Sequence, residues 1–257
     1  MRALRRDRLG KLERAAKLDA DDIAADPQRS LTFPSDADIV QAFSETGLVG
    51  SLYEEFEPRI EQVAMAEAVR KAFSSSENLL VEAGTGVGKS MAYLVPAALT
   101  ARANNIAVGV ATKTNTLLDQ LVYHELPALE KALRLADPDR PSLTYAPLKG
   151  FSHYPCLRKI GHIVEEGAQT KLFGNKEQTQ APSLAALLSF IEQTEYDDMD
   201  SLKIDYRVLP RRLITTTAND CLRRKCPYFG TSCFVHGSRR RAEAADIVGS
   251  NHRLRFG

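Results

Sequence analysis

The sequence has no continuous apolar run of the roughly 18 residues that a membrane-spanning helix requires. The longest candidates are Met91 to Ala101, which Pro96 interrupts, and Ile106 to Ala111. The amino-terminal segment is rich in arginine but has no apolar stretch typical of a secretory signal, and Asp7 and Glu13 are unusual in an organelle transit peptide. We therefore predict a cytoplasmic protein without a membrane partner.

The chain also has little net charge, +1 over 257 residues, but its charges are segregated. Segment 1–17 carries seven basic and two acidic side chains, whereas segment 18–57 carries one basic and ten acidic ones. A second basic segment, 207–241, has nine lysine and arginine residues against the single acid Asp220, and it contains three of the four cysteines. Such a segment is either a solvated surface or a contact for an anionic partner such as nucleic acid.

The hydrophobic pattern indicates an α/β fold. Short apolar segments, which favour buried strands, alternate with segments in which apolar residues recur at helical spacing. This alternation predicts a parallel sheet with helices on both faces. The predicted strands are Asn78–Ala83, Ile106–Thr112, Leu143–Pro147 and Ala245–Ser250, and the predicted helices are 61–73, 89–103 and 114–125.

The same pattern divides the chain into four predicted segments. Residues 1–50 are rich in turn-forming residues and are expected to be a linker or the tail of a preceding domain. Residues 51–150 form the first part of the α/β domain, and 242–257 return to it. Residues 151–241 lack the alternation, contain all the cysteines and include the weakly structured stretch 174–182, so we predict an insertion there.

Residues 84–90 have the composition of a phosphate-binding loop. Such a loop needs glycines so that backbone N–H groups converge on phosphate oxygens, a lysine for the terminal phosphates, and a serine or threonine for Mg²⁺. Ala83 replaces the first glycine of the strict pattern, and its methyl group is tolerated where φ is negative. The alternative is a chance glycine-rich turn, which the strand before the loop and the helix after it disfavour. The predicted ATP-binding residues are Gly84, Thr85, Gly86, Val87, Gly88, Lys89 and Ser90, and the last two are also expected to be catalytic.

Two other groups of polar residues are candidate contacts. One group follows the second predicted strand, at the sheet edge where ligands bind in open α/β folds, and hydroxyls, an amide and a lysine there suit a phosphodiester backbone. A threonine-rich helix cap is the alternative. Arg59 and Gln62 lie near the start of the first helix, where they are placed to contact an adenine edge. The alternative is that they are ordinary exposed residues at the start of a helix. The candidate DNA-binding residues of the first group are Thr112, Lys113, Thr114 and Asn115.

The four cysteines form a remote residue followed by C-x4-C and C-x6-C spacings. In a chain without an export signal, four cysteines favour a metal or cluster site over disulfides. Structural zinc usually has two close pairs, which this spacing fits poorly, whereas a [4Fe-4S] cluster tolerates irregular spacing. Cluster, zinc and free buried thiols all remain open from the spacing. His153 and His236 lie nearby in sequence but are not assigned to the metal. The candidate ligands are Cys156, Cys221, Cys226 and Cys233.

Taken in order, the motifs of this chain resemble the front half of the DinG/XPD group of superfamily 2 iron-sulfur DNA helicases. The resemblance rests on FEPRIEQ, EAGTGVGKS, ATKTNTLLDQL, LKGFSHYPCLRK and CLRRKCPYFGTSCFVHGSRRRAEAADIVGSNH, and it covers most of the chain after residue 50. It implies a RecA-like P-loop sheet interrupted by an iron-sulfur insertion, with EAGTGVGKS similar to helicase motif I. ATKTNTLLDQL is similar to motif Ia, which grips the DNA backbone, and Gln62 to the residue that senses adenine.

The function implied by this resemblance is a 5′-to-3′ DNA helicase that uses ATP, Mg²⁺ and a [4Fe-4S] cluster held by the four cysteines. Its expected partner is single-stranded or forked DNA, and it is expected to be a monomer.

The D-E-A-H box with which such helicases hold Mg²⁺ and orient the attacking water is missing from the sequence. The acidic segment Tyr196–Asp200 follows no apolar strand and is a poor substitute. The chain stops at SNHRLRFG, which is similar to the segment shortly before that box, so we expect a truncated product that does not unwind DNA by itself. The alternative is a metal-stabilised nucleic-acid-binding module whose P-loop does not hydrolyse nucleotide.

Overall fold

A computed structural model describes residues 30–84, 86–169 and 175–252, with side chains described outside 166–180. The described chain forms two compact units. The first, called the sheet unit, consists of residues 30–147 and 242–252. The second, called the cysteine unit, consists of residues 148–241. None of the described helices is both long and apolar enough to cross a bilayer.

The sheet unit alternates helices and strands. The chain enters it through two helices, α1 (Asp36–Ala42) and α2 (Ile60–Ser75). Residues 84–88, called the glycine loop, then lead into α3 (Lys89–Asn104). A π-helical segment, Leu121–Glu125, connects α4 (Asn115–Gln120) to α5 (Leu126–Ala136) without a break. The elements are α1 Asp36–Ala42, α2 Ile60–Ser75, α3 Lys89–Asn104, β1 Val108–Thr112, α4 Asn115–Gln120, α5 Leu126–Ala136, β2 Tyr145–Leu148 and β3 Ile247–Asn251.

The three strands form one sheet in the order β1-β3-β2. β1 and β3 are parallel, with Val108 opposite Ile247 and Thr112 opposite Asn251. The central strand β3 is buried, and α4 packs closely on it at Gly249, where a Cβ would lie 2.8 Å from Cδ1 of Leu118. This small parallel sheet flanked by helices fits the predicted RecA-like α/β fold, and three of the four predicted strands are confirmed with shifted ends.

The core of the sheet unit lies between the sheet and the helices around it. α3 is buried along most of its length and packs against α2. Leu94 of α3, Leu118 of α4 and Ile247 of β3 are completely buried in this core. The strong apolar character that the sequence shows in 91–101 is therefore used inside the sheet unit.

The prediction of a strand at Asn78–Ala83 is wrong. Residues 77–84 have no regular secondary structure, and Leu80 is 98% exposed. A strand requires a hydrogen-bonded neighbour, and among the described residues no strand lies beside this segment. β1 is instead an edge strand, and a cavity of about 720 Å³ is lined by both β1 and Leu79 and Val81 of the unpaired segment.

The cysteine unit is helical, and no strand lies within its described residues after Leu148. Its elements are α6 Leu157–Gln169, α7 Asn175–Gln193, α8 Arg211–Ile214 and α9 Phe234–Glu243, with 3₁₀ turns at Phe151–His153 and Arg223–Lys225. One small apolar core contains Leu187, Met199 and Ile214, and another contains Tyr154 and Phe234.

The expectation of a weakly structured stretch at 174–182 is wrong for Asn175–Pro182, which lies in α7. Lys176, Glu177 and Gln178 are polar residues with high helix propensity, and the polar composition concealed that propensity. Gly174 lies outside the described residues.

Candidate functional site

The glycine loop leads directly into α3. Gly86 and Gly88 have φ angles of +85° and +79°, a left-handed conformation that glycine adopts without steric cost. A Cβ on Gly88 would lie 2.1 Å from Nε2 of Gln62, so this position has no room for a side chain. α3 begins at the next residue, Lys89, which places the first turn of a long helix at the loop. Thr85 lies outside the described residues.

Lys89 folds back onto the loop. Its Nζ donates hydrogen bonds to the carbonyl oxygen of Ala83, at 3.2 Å, and to that of Gly84. The ammonium group is therefore held by the oxygen atoms of the loop itself. One turn along α3, burial raises the pKa of the Tyr93 phenol, and Ser90 opposes that rise by hydrogen bonding to it. Sequence analysis did not identify Tyr93 as part of this site.

Arg59 and Gln62 contact the same loop from the start of α2. Nε2 of Gln62 donates to the carbonyl oxygen of Gly88 at 2.8 Å, and the Arg59 guanidinium donates to that of Gly86. Val87, between the two carbonyls, is partly buried. The fold thus brings together residues that are more than 20 positions apart in the sequence, because α2 packs against α3. Both side chains brace the loop here, and the adenine contact stays a prediction.

The two predicted threonines at the sheet edge are engaged within the protein. Oγ1 of Thr112, at the end of β1, donates to the carbonyl oxygens of Thr114 and Ser250, at 3.0 and 3.3 Å. Oγ1 of Thr114 accepts from the N–H of Leu117 at 3.2 Å and so caps α4. Thr114 is therefore a helix cap in this structure, which is the alternative to a DNA contact for this residue.

Lys113 and Asn115 complete this edge. Oδ1 of Asn115 accepts a hydrogen bond from Nδ2 of Asn251 at 2.7 Å. Asn251 ends β3 opposite Thr112 in the parallel register, so the carboxyl ends of two strands meet here. Sequence analysis missed Asn251, although its position directly after the predicted strand Ala245–Ser250 was a usable signal.

The four cysteines come from separate parts of the cysteine unit. Cys156 precedes α6, Cys221 and Cys226 flank a 3₁₀ turn, and Cys233 precedes α9. All four are free, partly buried thiols, and all four line one small cavity of about 20 Å³ together with His236. No group of three histidine, cysteine or acidic residues is arranged to hold a metal ion in the parts of the chain that the structure describes. The fold thus gathers the predicted ligands around one cavity without a preformed metal geometry.

Comparison with known proteins identifies relatives of this chain, although no family model matches it. It is 33% identical over 219 residues to the ATP-dependent DNA helicase YoaA of Haemophilus influenzae, covering 85% of this chain and 32% of the relative. It is 39% identical over 201 residues to the ATP-dependent helicase DinG of Mycobacterium tuberculosis, covering 75% and 30%. The chain belongs to the DinG/YoaA family. It spans about a third of the length of these relatives.

A third DinG/YoaA relative, the ATP-dependent DNA helicase DinG of Escherichia coli, is 30% identical over 213 residues, or 78% of this chain and 28% of the relative. These relatives confirm the resemblance that the motifs indicated.

Two of the cysteine thiols in this DinG/YoaA chain, Cys221 and Cys233, interact with neighbouring groups. Burial raises the pKa of the Cys233 thiol, while the backbone N–H groups of His236 and Val235 oppose that rise by donating to its sulfur. Sγ of Cys221 accepts from the backbone N–H of Arg223 at 3.4 Å and lies 3.5 Å from Nε2 of His236. Burial lowers the pKa of His236, and neighbouring arginines lower it further, so the imidazole is neutral.

A buried ion network anchors the segment that leads to Cys156. Nζ of Lys149 lies 3.0 Å from Oδ1 of Asp198 and 3.1 Å from Oδ2 of Asp200. Asp200 also contacts Nδ1 of His153 at 2.8 Å and the guanidinium of Arg211. Burial opposes ionisation of Asp200, but the hydrogen bonds from His153 and Arg211 outweigh it and hold its pKa well below the usual range.

This network gives the acidic segment 196–200 a structural role that the sequence did not reveal. From the sequence, this segment is only a poor substitute for a catalytic acidic box. In the structure its carboxylates join residues 149–153 to α8, and the backbone N–H of Cys156 donates to the carbonyl oxygen of Ile214 at 2.7 Å. The network therefore helps to position the first of the four cysteines.

Proposed function

We propose that this chain is the ATP-binding and DNA-binding part of an ATP-dependent DNA helicase that moves 5′ to 3′ on single-stranded DNA. The observation that carries the proposal is the convergence of Arg59, Gln62 and Lys89 on one glycine loop at the start of α3. The names of the DinG and YoaA relatives support it. The direction of movement rests on the family resemblance.

In the proposed complex with MgATP, the backbone N–H groups of residues 84–88 and the positive end of α3 face the phosphates. Lys89 exchanges the carbonyl oxygens of Ala83 and Gly84 for phosphate oxygens, which carry full charge and make stronger hydrogen bonds to an ammonium group. Ser90 provides a hydroxyl ligand for Mg²⁺. Gln62 and Arg59 hold the loop and contact adenine.

The proposed DNA contact lies at the carboxyl edge of the sheet. Thr112 and Thr114 shape this edge through their internal hydrogen bonds, while Lys113 supplies a cation and Asn115 an amide. Such groups bind a phosphodiester backbone without reading its bases. The proposed partner is therefore single-stranded or forked DNA bound without sequence preference.

We further propose that the cysteine unit is an iron-sulfur insertion of the helicase domain and helps to separate the duplex. Its donor set fits a [4Fe-4S] cluster, because four free thiols line one cavity and no carboxylate is among the described residues that line it. The backbone N–H donor at the sulfur of Cys221 suits a thiolate with net negative charge. Cys156, Cys221, Cys226 and Cys233 would hold the cluster, which supplies a redox-active centre that cross-links three segments of the chain.

The test of the nucleotide site is Lys89→Ala measured by calorimetric titration with MgATP. Hydrogen bonds to charged groups contribute about 1.5–3 kcal/mol, so we expect the variant to bind roughly ten- to a hundredfold more weakly. Lys131→Ala is the matched control, because Lys131 is exposed on α5 and the substitution removes the same charge. Unchanged MgATP affinity in Lys89→Ala would contradict the assignment of residues 84–90 as a phosphate-binding loop.

A second candidate function is a metal-stabilised nucleic-acid-binding module whose P-loop does not hydrolyse nucleotide. The observation that favours it is the engagement of Lys89 by loop carbonyls beside a segment that is not a strand. Single-stranded DNA binding that is insensitive to MgATP, together with unchanged nucleotide affinity in Lys89→Ala, would support this candidate. Under either candidate the 257 residues alone are expected not to separate strands, which a forked-duplex unwinding assay checks.

A further inference from the structure

His236 contacts a cysteine that lies 15 positions earlier in the sequence. It lies in the first turn of α9, three residues after Cys233. Nε2 of its side chain lies 3.5 Å from Sγ of Cys221. His236 therefore contacts the sulfur of one of the four candidate ligands, and it lines the same cavity as all four.

Aromatic neighbours hold the imidazole in this position. The ring of Phe229 has its centroid 4.4 Å from that of His236, and Phe151 meets it edge-on at 6.3 Å. The Arg239 guanidinium lies over Phe151, 4.3 Å from its centroid. Because packed rings restrict rotation of the imidazole, Nε2 remains directed at the sulfur of Cys221.

Hydrogen bonds to thiolate sulfur influence an iron-sulfur cluster by offsetting its negative charge. The reduced state carries one more electron than the oxidised state, so a donor stabilises it more and raises the reduction potential. Cys221 also receives the backbone N–H of Arg223, which a substitution cannot remove. The imidazole of His236 is a donor to this sulfur that substitution can remove.

We propose that His236 is a positioning residue for the iron-sulfur centre, donating Nε2–H to the sulfur of Cys221 and raising the reduction potential of the cluster. The inference rests on the proposed assignment of a [4Fe-4S] cluster to the four cysteines. It means that a residue that is not a ligand influences the reduction potential of that centre. The role is one of hydrogen bonding, and His236 is not a ligand of the iron.

The test compares His236→Phe, which keeps an aromatic ring but removes the donor, with His236→Gln, whose amide Nε2 can still donate. The full chain is purified anaerobically, iron and sulfide are quantified, and the reduction potential is measured by spectroelectrochemical titration. We expect a more negative potential in His236→Phe at full cluster content and a smaller shift in His236→Gln. The control is His162→Phe, because His162 is exposed on α6 and does not line the cavity, so its potential should match the wild type.

Equal potentials in the wild type and His236→Phe at full cluster content would overturn the inference while leaving the cluster assignment intact. Loss of the cluster from both His236 variants but not from His162→Phe would also overturn it, since His236 would then be a ligand. Wild-type protein that holds zinc, or no metal, would overturn the proposed cluster and this role with it. Metal analysis identifies the second and third results, and the reduction potential separates the first result from the expected one.

Discussion

Replacing Lys149 by methionine tests the ion network of the cysteine unit. The Lys149 side chain is 1% exposed, and it is the cation nearest to the buried carboxylate of Asp198. Methionine retains most of the side-chain volume but leaves that carboxylate without its partner. Removing one member of a buried ion pair costs about 3–5 kcal/mol, and we expect the free energy of unfolding of this unit to fall by that amount at neutral pH.

The size of this loss should depend on pH. Burial raises the pKa of Asp198 above its ordinary value, although Lys149 opposes the rise. An acid with a raised folded-state pKa binds more protons when folded, so its folded state loses stability as pH increases above about 4, the ordinary aspartate value. Without Lys149 the folded-state pKa rises further and the penalty at neutral pH grows. The difference between variant and wild type should therefore shrink on acidification toward about pH 4.

The measurement is urea unfolding followed by far-UV circular dichroism, because the chain has no tryptophan for fluorescence. Hydrogen exchange resolved by peptide assigns the loss to residues 148–241. Lys131→Met, on the exposed face of α5, is the control and should change stability by less than about 0.5 kcal/mol. Adding Asp198→Asn to Lys149→Met should recover part of the loss. A fall in the free energy of unfolding of less than about 1 kcal/mol would refute the account of a buried and uncompensated carboxylate. A fall that is equal at neutral pH and at about pH 4 would refute it as well.

Two further predictions concern the sheet unit. Lys113→Ala should weaken single-stranded DNA binding and reduce the slope of log affinity against log salt by about 0.7, as expected for one lost phosphate contact, whereas Lys131→Ala should leave the slope unchanged. Salt titration of fluorescence anisotropy measures both, and an unaltered slope in Lys113→Ala would remove this residue from the interface. Gly249→Ala should lower the free energy of unfolding by about 1–3 kcal/mol, because its methyl group meets Leu118 at 2.8 Å. Gly230→Ala, with nothing within 4 Å of the added Cβ, should be nearly neutral, and equal melting temperatures for the two variants would count against the tight α4–β3 contact.

The features that the sequence predicted well depend on local chemistry. The glycines of the loop are required by the left-handed backbone at Gly86 and Gly88, and α3 follows from the apolar residues directly after them. The strand β3 begins with the apolar pair Ile247 and Val248, followed by the small residues Gly249 and Ser250, and these four residues are buried. In each case the residues that determine the structure are neighbours in the sequence.

The features that the sequence did not predict depend on distant partners. Asn78–Ala83 has the apolar pattern of a strand, but pairing is decided by a second segment that its own residues do not specify. The sequence did not predict an ion-pair partner for Asp198 because its cation, Lys149, lies 49 positions earlier. His236 looked like an isolated histidine because Cys221 reaches it only through the folded cysteine unit.

The open edge of β1 has a practical consequence for work with this chain in solution. Within the described residues no strand covers the free edge of β1, and the neighbouring Leu80 is almost fully exposed. An unpaired strand edge beside exposed apolar side chains is a template for aggregation. Concentrated samples of this chain should therefore self-associate through β1, and a charged substitution such as Leu80→Lys should improve their solubility.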